Sequence, residues 1–218
     1  MIINHDHLEY RRKVAGPTHK KYNGAFYYSK EICKNIIPNV DTDRNWITIN
    51  IKGVGCNHAI VFIHNNLHPE NYDWLAKYDD LVLVCGIPET CAKVAHLGKT
   101  IYLPLSVDVK YVEQFKQEKT KETAYVGRYS KTEYGELPKG IDYLYGIKRQ
   151  ELLPRMAQYK KVYAVGRCAI EAKILDCEVL PYDRRFPDTD RWKIVDNFEA
   201  AKILQSELDR IDGRIESE

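Results

Sequence analysis

The stretch of sequence that decides the fold runs from Lys161 to Asp183 and reads K-V-Y-A-V-G-R-C-A-I-E-A-K-I-L-D-C-E-V-L-P-Y-D. Its first part is a β-branched apolar run that stops at Gly166, as a strand does at a turn. Strong helix formers then fill Ala169–Leu175, and a second apolar run covers Glu178–Tyr182. This order predicts a strand, a helix and a second strand, with a glycine at the first corner.

The first corner of such a unit is a place where ligands bind. In open parallel sheets, ligands lie outside the carboxyl ends of the strands. Glu171 is the single acid in an otherwise apolar helix, about one turn from its start. Its carboxylate is therefore expected near the end of the preceding strand, where it suits binding to a hydroxyl group of a ribose or another sugar.

The composition is that of an ordinary globular protein. The chain has 218 residues, enough for one large or two small domains, with 44% hydrophobic and 29% charged residues. Its 33 basic and 31 acidic residues nearly balance, which gives no sign of a nucleic-acid-binding surface. No apolar run approaches the ~20 residues of a membrane helix, and no secretory signal is recognisable. Cysteines without a C-x-x-C pair indicate reduced thiols, so a cytoplasmic protein is predicted.

Short apolar runs alternate with helical patterns along the chain. Strands are predicted at Met1–Asn4, Trp46–Ile51, Ala59–Ile63, Leu81–Cys85, Thr100–Leu103, Thr123–Val126, Ile141–Tyr145, Lys161–Val165 and Glu178–Leu180. Helices are predicted at Ala25–Ile37, Glu70–Lys77, Glu89–Leu97, Val109–Gln117, Gln150–Gln158, Ala169–Leu175 and Glu199–Ile211. This alternation predicts an α/β fold built on parallel sheets.

One boundary divides this pattern, between Leu105 and Glu122. The segment holds one helix and the charged run K-Q-E-K-T-K-E, and about a hundred residues with their own alternation lie on each side. Two small Rossmann-like domains fit this arrangement better than one long sheet. The predicted domains are residues 1–107 and residues 108–218, facing each other across a cleft.

The strand predicted at Thr123–Val126 runs into a glycine and two cations. Gly127 lets the backbone approach a ligand closely, and Arg128 and Lys131 follow it. Arginine binds phosphate with a planar fork, whereas lysine acts as a point charge. Taken alone, the two cations could equally be solvated loop charges.

The same arrangement occurs three times in the second half. Three predicted strands each end at a glycine, namely Gly127, Gly146 and Gly166. Basic residues follow all three: Arg128, then Lys148 with Arg149, and Arg167. This pattern is typical of a site for a nucleotide diphosphate with a ribose or sugar beside it.

These segments resemble the donor domain of GT-B glycosyltransferases, in particular the retaining group that uses nucleotide-diphosphate sugars. That family has a strand ending in V-G-R with a lysine soon after, and later a unit of the form E-G-F-G-x-x-x-x-E-A-x-A-x-G-x-P-V. This chain has Y-V-G-R-Y-S-K at Tyr125–Lys131, and Gly166 and Glu171 align with the later unit. The segment L-P-L-S-V-D at Leu103–Asp108 looks like the interdomain strand P-N-G-V-D of the same family.

The resemblance implies a role for each matched position. Arg128 and Lys131 would meet the donor diphosphate, and Glu171 would hold the nucleotide ribose. The backbone near Gly146 and Ile147 would lie close to the base.

Two positions of the first half are further candidates. His64 follows the strand predicted at Ala59–Ile63, where it would hydrogen-bond the donor sugar or a phosphate oxygen, or simply cap or pack. Gly24 precedes the first helix, whose free N–H groups would face a phosphate or take an ordinary cap. The segment H-D-H at 5–7 is weak evidence for a metal.

The resemblance therefore implies a glycosyltransferase that transfers a sugar from a nucleotide-diphosphate donor. Residues 108–218 would bind the donor and residues 1–107 the acceptor, for which a saccharide, a protein or a modified nucleobase stays open. Arg128 and Lys131 would stabilise charge on the leaving diphosphate, and His64 would orient the sugar. With two side-chain cations for this task, no metal and no further cofactor are predicted.

Two other interpretations stay open. A non-catalytic protein that sequesters or senses a nucleotide is favoured by Tyr163, which stands where the family has an acid facing the transferred sugar, and by the short chain. A structural interaction protein would keep only the fold. Asp176 replaces the family glycine after the helix, which predicts a less tight turn there.

Overall fold

The fold consists of two compact units. The computed structural model describes residues 1–3, 24–48, 55–64, 69–127 and 129–214. The first unit contains Met1–Pro104 and Asn197–Glu218, and the second contains Leu105–Asp196. Each unit holds one sheet in which the neighbouring strands run parallel. The predicted α/β fold with parallel sheets is therefore confirmed.

The elements follow one another in the order that the sequence indicates. The strands are β1 (Ile2–Ile3), β2 (Asn45–Ile47), β3 (Ala59–Ile63), β4 (Leu81–Cys85), β5 (Lys99–Tyr102), β6 (Lys121–Val126), β7 (Asp142–Leu144), β8 (Tyr159–Tyr163) and β9 (Glu178–Leu180). The α-helices are α1 (Gly24–Glu31), α2 (Pro88–Val94), α3 (Val109–Glu113), α4 (Arg149–Met156), α5 (Arg167–Ile174) and α6 (Asn197–Ile211). Turns of 3₁₀ or π type cover Ile32–Ile36, Ile37–Asn39, Pro69–Lys77, Ala95–Leu97 and Tyr129–Tyr134.

The first unit is built on a five-stranded sheet in the order β1-β2-β3-β4-β5. Every residue of β3 and β4 is buried, as expected for central strands of a parallel sheet that is covered on both faces. Leu75, Val94 and Leu97 pack onto these strands from the neighbouring helical segments.

The helix α6 belongs to the first unit, although the sequence pattern groups it with residues 108–218. It packs against the turns at Ile32–Asn39 and against β5. Two polar contacts fasten it there: Gln205 donates to the Asp41 carbonyl oxygen over 3.2 Å, and the Arg44 guanidinium meets Asp212 at 2.7 Å just after the helix.

The second unit is built on a four-stranded sheet in the order β7-β6-β8-β9. The helix α4 connects β7 to β8, and α5 connects β8 to β9. In both crossings the helix starts only a few residues after the carboxyl end of the strand. This places the starts of α4 and α5 at the edge of the sheet where the sequence predicts a ligand.

Several predicted elements have different bounds in the structure. β8 starts two residues earlier than predicted, because its pairing with β6 begins at Lys121 and Tyr159. The helix predicted at Ala25–Ile37 is regular only to Glu31, and tighter or wider turns carry the chain to Asn39. Asp176 takes a φ of +59°, so an aspartate adopts the left-handed turn that the family glycine would supply. Residues 4 and 49–51 of two predicted strands lie outside the described residues.

Candidate functional site

The candidate site lies at the carboxyl ends of the strands of the second sheet. Gly146 and Gly166 follow β7 and β8 with φ of +67° and +64°, a conformation that glycine adopts without strain. Gly127 follows β6, and a Cβ atom there would lie 2.6 Å from the hydroxyl oxygen of Tyr125. A larger residue would therefore strain the backbone at Gly146 and Gly166, and at Gly127 it would displace the Tyr125 side chain.

The centre of the site is an ion cluster of Arg149, Arg167 and Glu171. The Nη2 atoms of Arg149 and Arg167 lie 2.8 and 3.8 Å from the same oxygen, Oε1 of Glu171. The side chains of both arginines are 12% exposed, and that of Glu171 is 5% exposed. The Tyr111 ring, from α3, lies 5.5 Å from the Arg149 guanidinium. We call Arg149 and Arg167 the arginine pair.

The arginine pair stands where helix electrostatics disfavour cations. Arg149 is the first residue of α4 and Arg167 the first residue of α5, and each helix has eight residues. The positive end of the helix dipole makes a cation at this position unfavourable by about 0.3–1 kcal/mol, whereas it favours an anion. α4 carries an acid in its first turn, Glu151, but α5 carries none. A local preference that is broken after two strands of one sheet, β7 and β8 on either side of β6, is typical of a functional site.

The side chains of the two other predicted cations, Arg128 and Lys131, lie outside the described part of the chain. Arg128 lies outside the described residues, and Lys131 lies in the turn Tyr129–Tyr134 with its side chain outside them. Gly146 and Ile147 form the link between β7 and the start of α4. The structure therefore brings together Gly166, Arg167 and Glu171, and adds Arg149 to them.

A loop after β9 holds the segment that follows β6. The Tyr182 hydroxyl lies 3.4 Å from the Tyr125 hydroxyl, and burial raises the pKa of both groups, so both stay protonated. A Cβ atom at Gly135 would lie 1.4 Å from the Tyr182 carbonyl oxygen. The loop thus contacts the chain on both sides of the turn Tyr129–Tyr134, at Tyr125 in β6 and at Gly135.

The same loop contains a buried ion pair. The Asp183 side chain is fully buried and accepts hydrogen bonds from Nε and Nη2 of Arg185 over 2.8 and 2.6 Å. The Arg185 guanidinium also lies 3.4 Å from the centre of the Tyr134 ring. Asp183 raises the pKa of Arg185, which keeps this cation charged. The pair fastens the loop to the turn that contains Lys131.

In the first unit, His64 directly follows β3, as predicted. Its Nε2–H donates to the Thr48 carbonyl oxygen over 2.5 Å, and its ring meets the Tyr28 ring edge-on at 5.7 Å. These contacts fix the orientation of the imidazole at the carboxyl end of that sheet. Gly24 is the first residue of α1.

The sequence pattern leaves out several residues of the site. Arg149 appears there only as one of two basic residues after Gly146, although its position as the first residue of a helix is a usable signal. Tyr111 is one of 16 tyrosines and has no distinguishing context. Asp183 and Arg185 follow the last strand, and an acid next to a proline-bounded strand end is a weak signal.

The opposite, amino edge of the second sheet carries a shallow depression of about 390 Å³. Lys121, Asp142 and Tyr159 line it, and the Tyr159 hydroxyl donates to Asp142 over 2.6 Å. Ligands of open parallel sheets bind at the carboxyl edge, so the arginine pair is the stronger candidate.

Two further features concern the described part of the chain alone. Within the ranges given above, no group of three histidine, cysteine or acidic side chains is arranged to hold a metal ion. Among the helices of these ranges, none is both long and apolar enough to cross a membrane.

Comparison with known proteins finds no relative of this chain. No protein-family model, no curated protein and no solved structure matches the chain.

Proposed function

We propose that this chain is a glycosyltransferase whose second unit binds the diphosphate of a nucleotide-sugar donor at the arginine pair. One observation carries the proposal: Arg149 and Arg167 begin the helices that follow β7 and β8, the two strands that flank β6, and the buried Glu171 joins them. A bound diphosphate would meet guanidinium groups and helix N–H groups at the same place.

The chemistry of sugar transfer follows from where negative charge develops. When the bond between the sugar and the diphosphate breaks, charge grows on the leaving diphosphate, and fixed cations stabilise it. The arginine pair supplies two such cations, and Arg128 and Lys131 add two more by the resemblance. Metal-independent transfer is consistent with four cations.

The remaining roles are part of the same proposal. Glycines at 127, 146 and 166 would let the donor approach the backbone, with the base near Gly146 and Ile147. His64 would orient the sugar, and the first unit would bind the acceptor. The GT-B resemblance implies that the two Rossmann-like units face a cleft that holds donor and acceptor.

The test is a turnover assay on a panel of nucleotide-diphosphate sugars, with and without candidate acceptors. Release of the free nucleoside diphosphate is measured for the wild type, for Arg149→Gln with Arg167→Gln, and for Arg184→Gln. Arg184 is a matched control, because it is a 74% exposed arginine of the same unit paired with Glu136 at 3.0 Å. We expect turnover by the wild type and the control but not by the double variant. Absence of turnover with every donor would reject the transferase proposal.

A non-catalytic nucleotide-binding protein is the second candidate, and Tyr163 favours it. This residue ends β8 and pairs with Tyr125 and Leu180 on the neighbouring strands. A phenol there cannot supply the carboxylate that the family places opposite the transferred sugar. Tight binding of a nucleoside diphosphate without turnover would establish this candidate.

A further inference from the structure

We propose that Glu171 is a positioning residue, which orients the arginine pair for an incoming diphosphate and does not bind the nucleotide ribose. The inference rests on the proposed function and refines it. The acid therefore has a different task in this chain from the one that the resemblance implies for it.

The first step is the burial of Glu171. The residue is 4% exposed and lies among buried neighbours of α5, namely Ala169, Ile170, Ala172 and Ile174. Removing a carboxylate from water costs several kcal/mol unless cationic partners accompany it. A residue that holds a ribose must present an oxygen to the ligand, whereas this side chain is covered.

The second step is the convergence of both arginines on one atom. Because both ion pairs end on Oε1, the two Nη2 atoms can be no farther apart than the sum of 2.8 and 3.8 Å. Two like charges at this separation repel each other. The carboxylate offsets that repulsion and keeps two fork-shaped donors within reach of a single diphosphate.

The third step excludes helix stability as the reason for the cluster. Arg167 precedes Glu171 by one helical turn, and the favourable order in a helix is the reverse, with the acid nearer the N-terminus. The order found here therefore gains little for α5 itself. The effect of this order is geometric. The Arg167 side chain reaches along α5 to Glu171, which also contacts Arg149, so the first residues of α5 and α4 meet at the same carboxylate.

Tyr111 supports the same arrangement from α3. Its ring lies 5.5 Å from the guanidinium of Arg149, a distance at which a cation is attracted to the ring face. The guanidinium of Arg149 therefore has a neighbour on each of two helices, Glu171 on α5 and Tyr111 on α3.

The experiment measures how tightly Glu171→Gln and the wild type bind two ligands, a nucleoside diphosphate and its 2′-deoxy form. Without Glu171 the arginines lose their fixed position, which should weaken both ligands by the same factor, about tenfold or more, as for the loss of one charge-assisted arginine–diphosphate hydrogen bond. A loss confined to the ribonucleotide would overturn the proposal in favour of ribose binding. Glu178→Gln is the matched control, because that glutamate of the same sheet pairs with Lys161 at 3.1 Å and is 57% exposed.

A second measurement needs no nucleotide. Side-chain Nε–Hε signals of arginine are recorded by ¹⁵N NMR and assigned with Arg149→Lys and Arg167→Lys. We expect two signals shifted from those of exposed arginines in the ligand-free wild type and in Glu178→Gln, and their collapse towards the exposed position in Glu171→Gln. Unchanged signals in Glu171→Gln would overturn the positioning role.

The two measurements separate the failure of this inference from that of the proposed function. A wild type that binds no nucleoside diphosphate rejects the proposed function, while the NMR signals still decide what Glu171 does to the arginines. If Glu171→Gln does not fold, Glu171→Asp keeps the charge on a shorter side chain. It should weaken the two ligands equally, and an unequal loss would again overturn the proposal.

Discussion

Asp183→Asn should destabilise the second unit by about 3 kcal/mol. The side chain is 0% exposed and makes two charge-assisted hydrogen bonds to Arg185, at 2.8 and 2.6 Å. Removing one partner of a buried ion pair costs about 3–5 kcal/mol. Since Arg185 is 25% exposed, water partly compensates its charge, and the lower end of that range applies. Asparagine keeps the volume, so no cavity adds to the cost.

Hydrogen exchange measures this loss separately in each unit. A change of about 3 kcal/mol should speed exchange of the amides of β6 and β8 about a hundredfold. The amides of β3 and β4 in the first unit serve as an internal reference. Glu136→Gln, which removes an exposed ion pair to Arg184, should change the free energy of opening measured by exchange by less than about 1 kcal/mol. Equal effects of the two substitutions would refute the argument that the buried pair fastens the loop.

Three further predictions follow from local geometry. Gly135→Ala should lower the melting temperature far more than Gly140→Ala, because its Cβ would meet the Tyr182 carbonyl at 1.4 Å, whereas at Gly140 only a φ of +80° opposes it. Hydrogen bonding to Asp80 raises the pKa of His58 and lowers that of Asp80. The His58 contribution to stability should therefore be complete below about pH 6.5 and be lost as the pH rises through its higher folded pKa. In denaturation experiments at several pH values, the stability of His58→Asn should change less over this range than that of the wild type. The Asp80 contribution should instead be lost in acid, as the pH falls below about 4, and Asp80→Asn should lack that loss.

The sequence predicts most of the fold because its strands are short apolar runs with clear ends. β3, β4 and β9 coincide with their predicted bounds, and each is bounded by turn or polar residues. The turn Tyr129–Tyr134 is absent from the prediction, because Y-S-K-T-E-Y has no apolar period. The membership of α6 in the first unit depends on contacts such as Arg44 with Asp212, which no local pattern reveals.

The candidate site is predictable in place but not in its internal contacts. Glycines at strand ends indicate the carboxyl edge, and the order of strands in the sheet decides which of them are neighbours. The meeting of Arg149 with Glu171 depends on two helices that enter from different strands, so sequence spacing cannot reveal it. For the same reason Glu171 reads from the sequence as an acid available to a ligand, whereas the structure pairs it with two arginines.

The central claim is that the arginine pair binds a diphosphate, and calorimetric titration tests it most directly. Nucleoside diphosphates of each base and, separately, the matching nucleosides are titrated into the wild type, Arg149→Gln and the control Arg184→Gln. The account predicts that at least one diphosphate binds the wild type and the control at least about a hundredfold more tightly than its nucleoside, and that Arg149→Gln loses about tenfold or more of this preference. A wild type that binds every diphosphate no better than its nucleoside would contradict it.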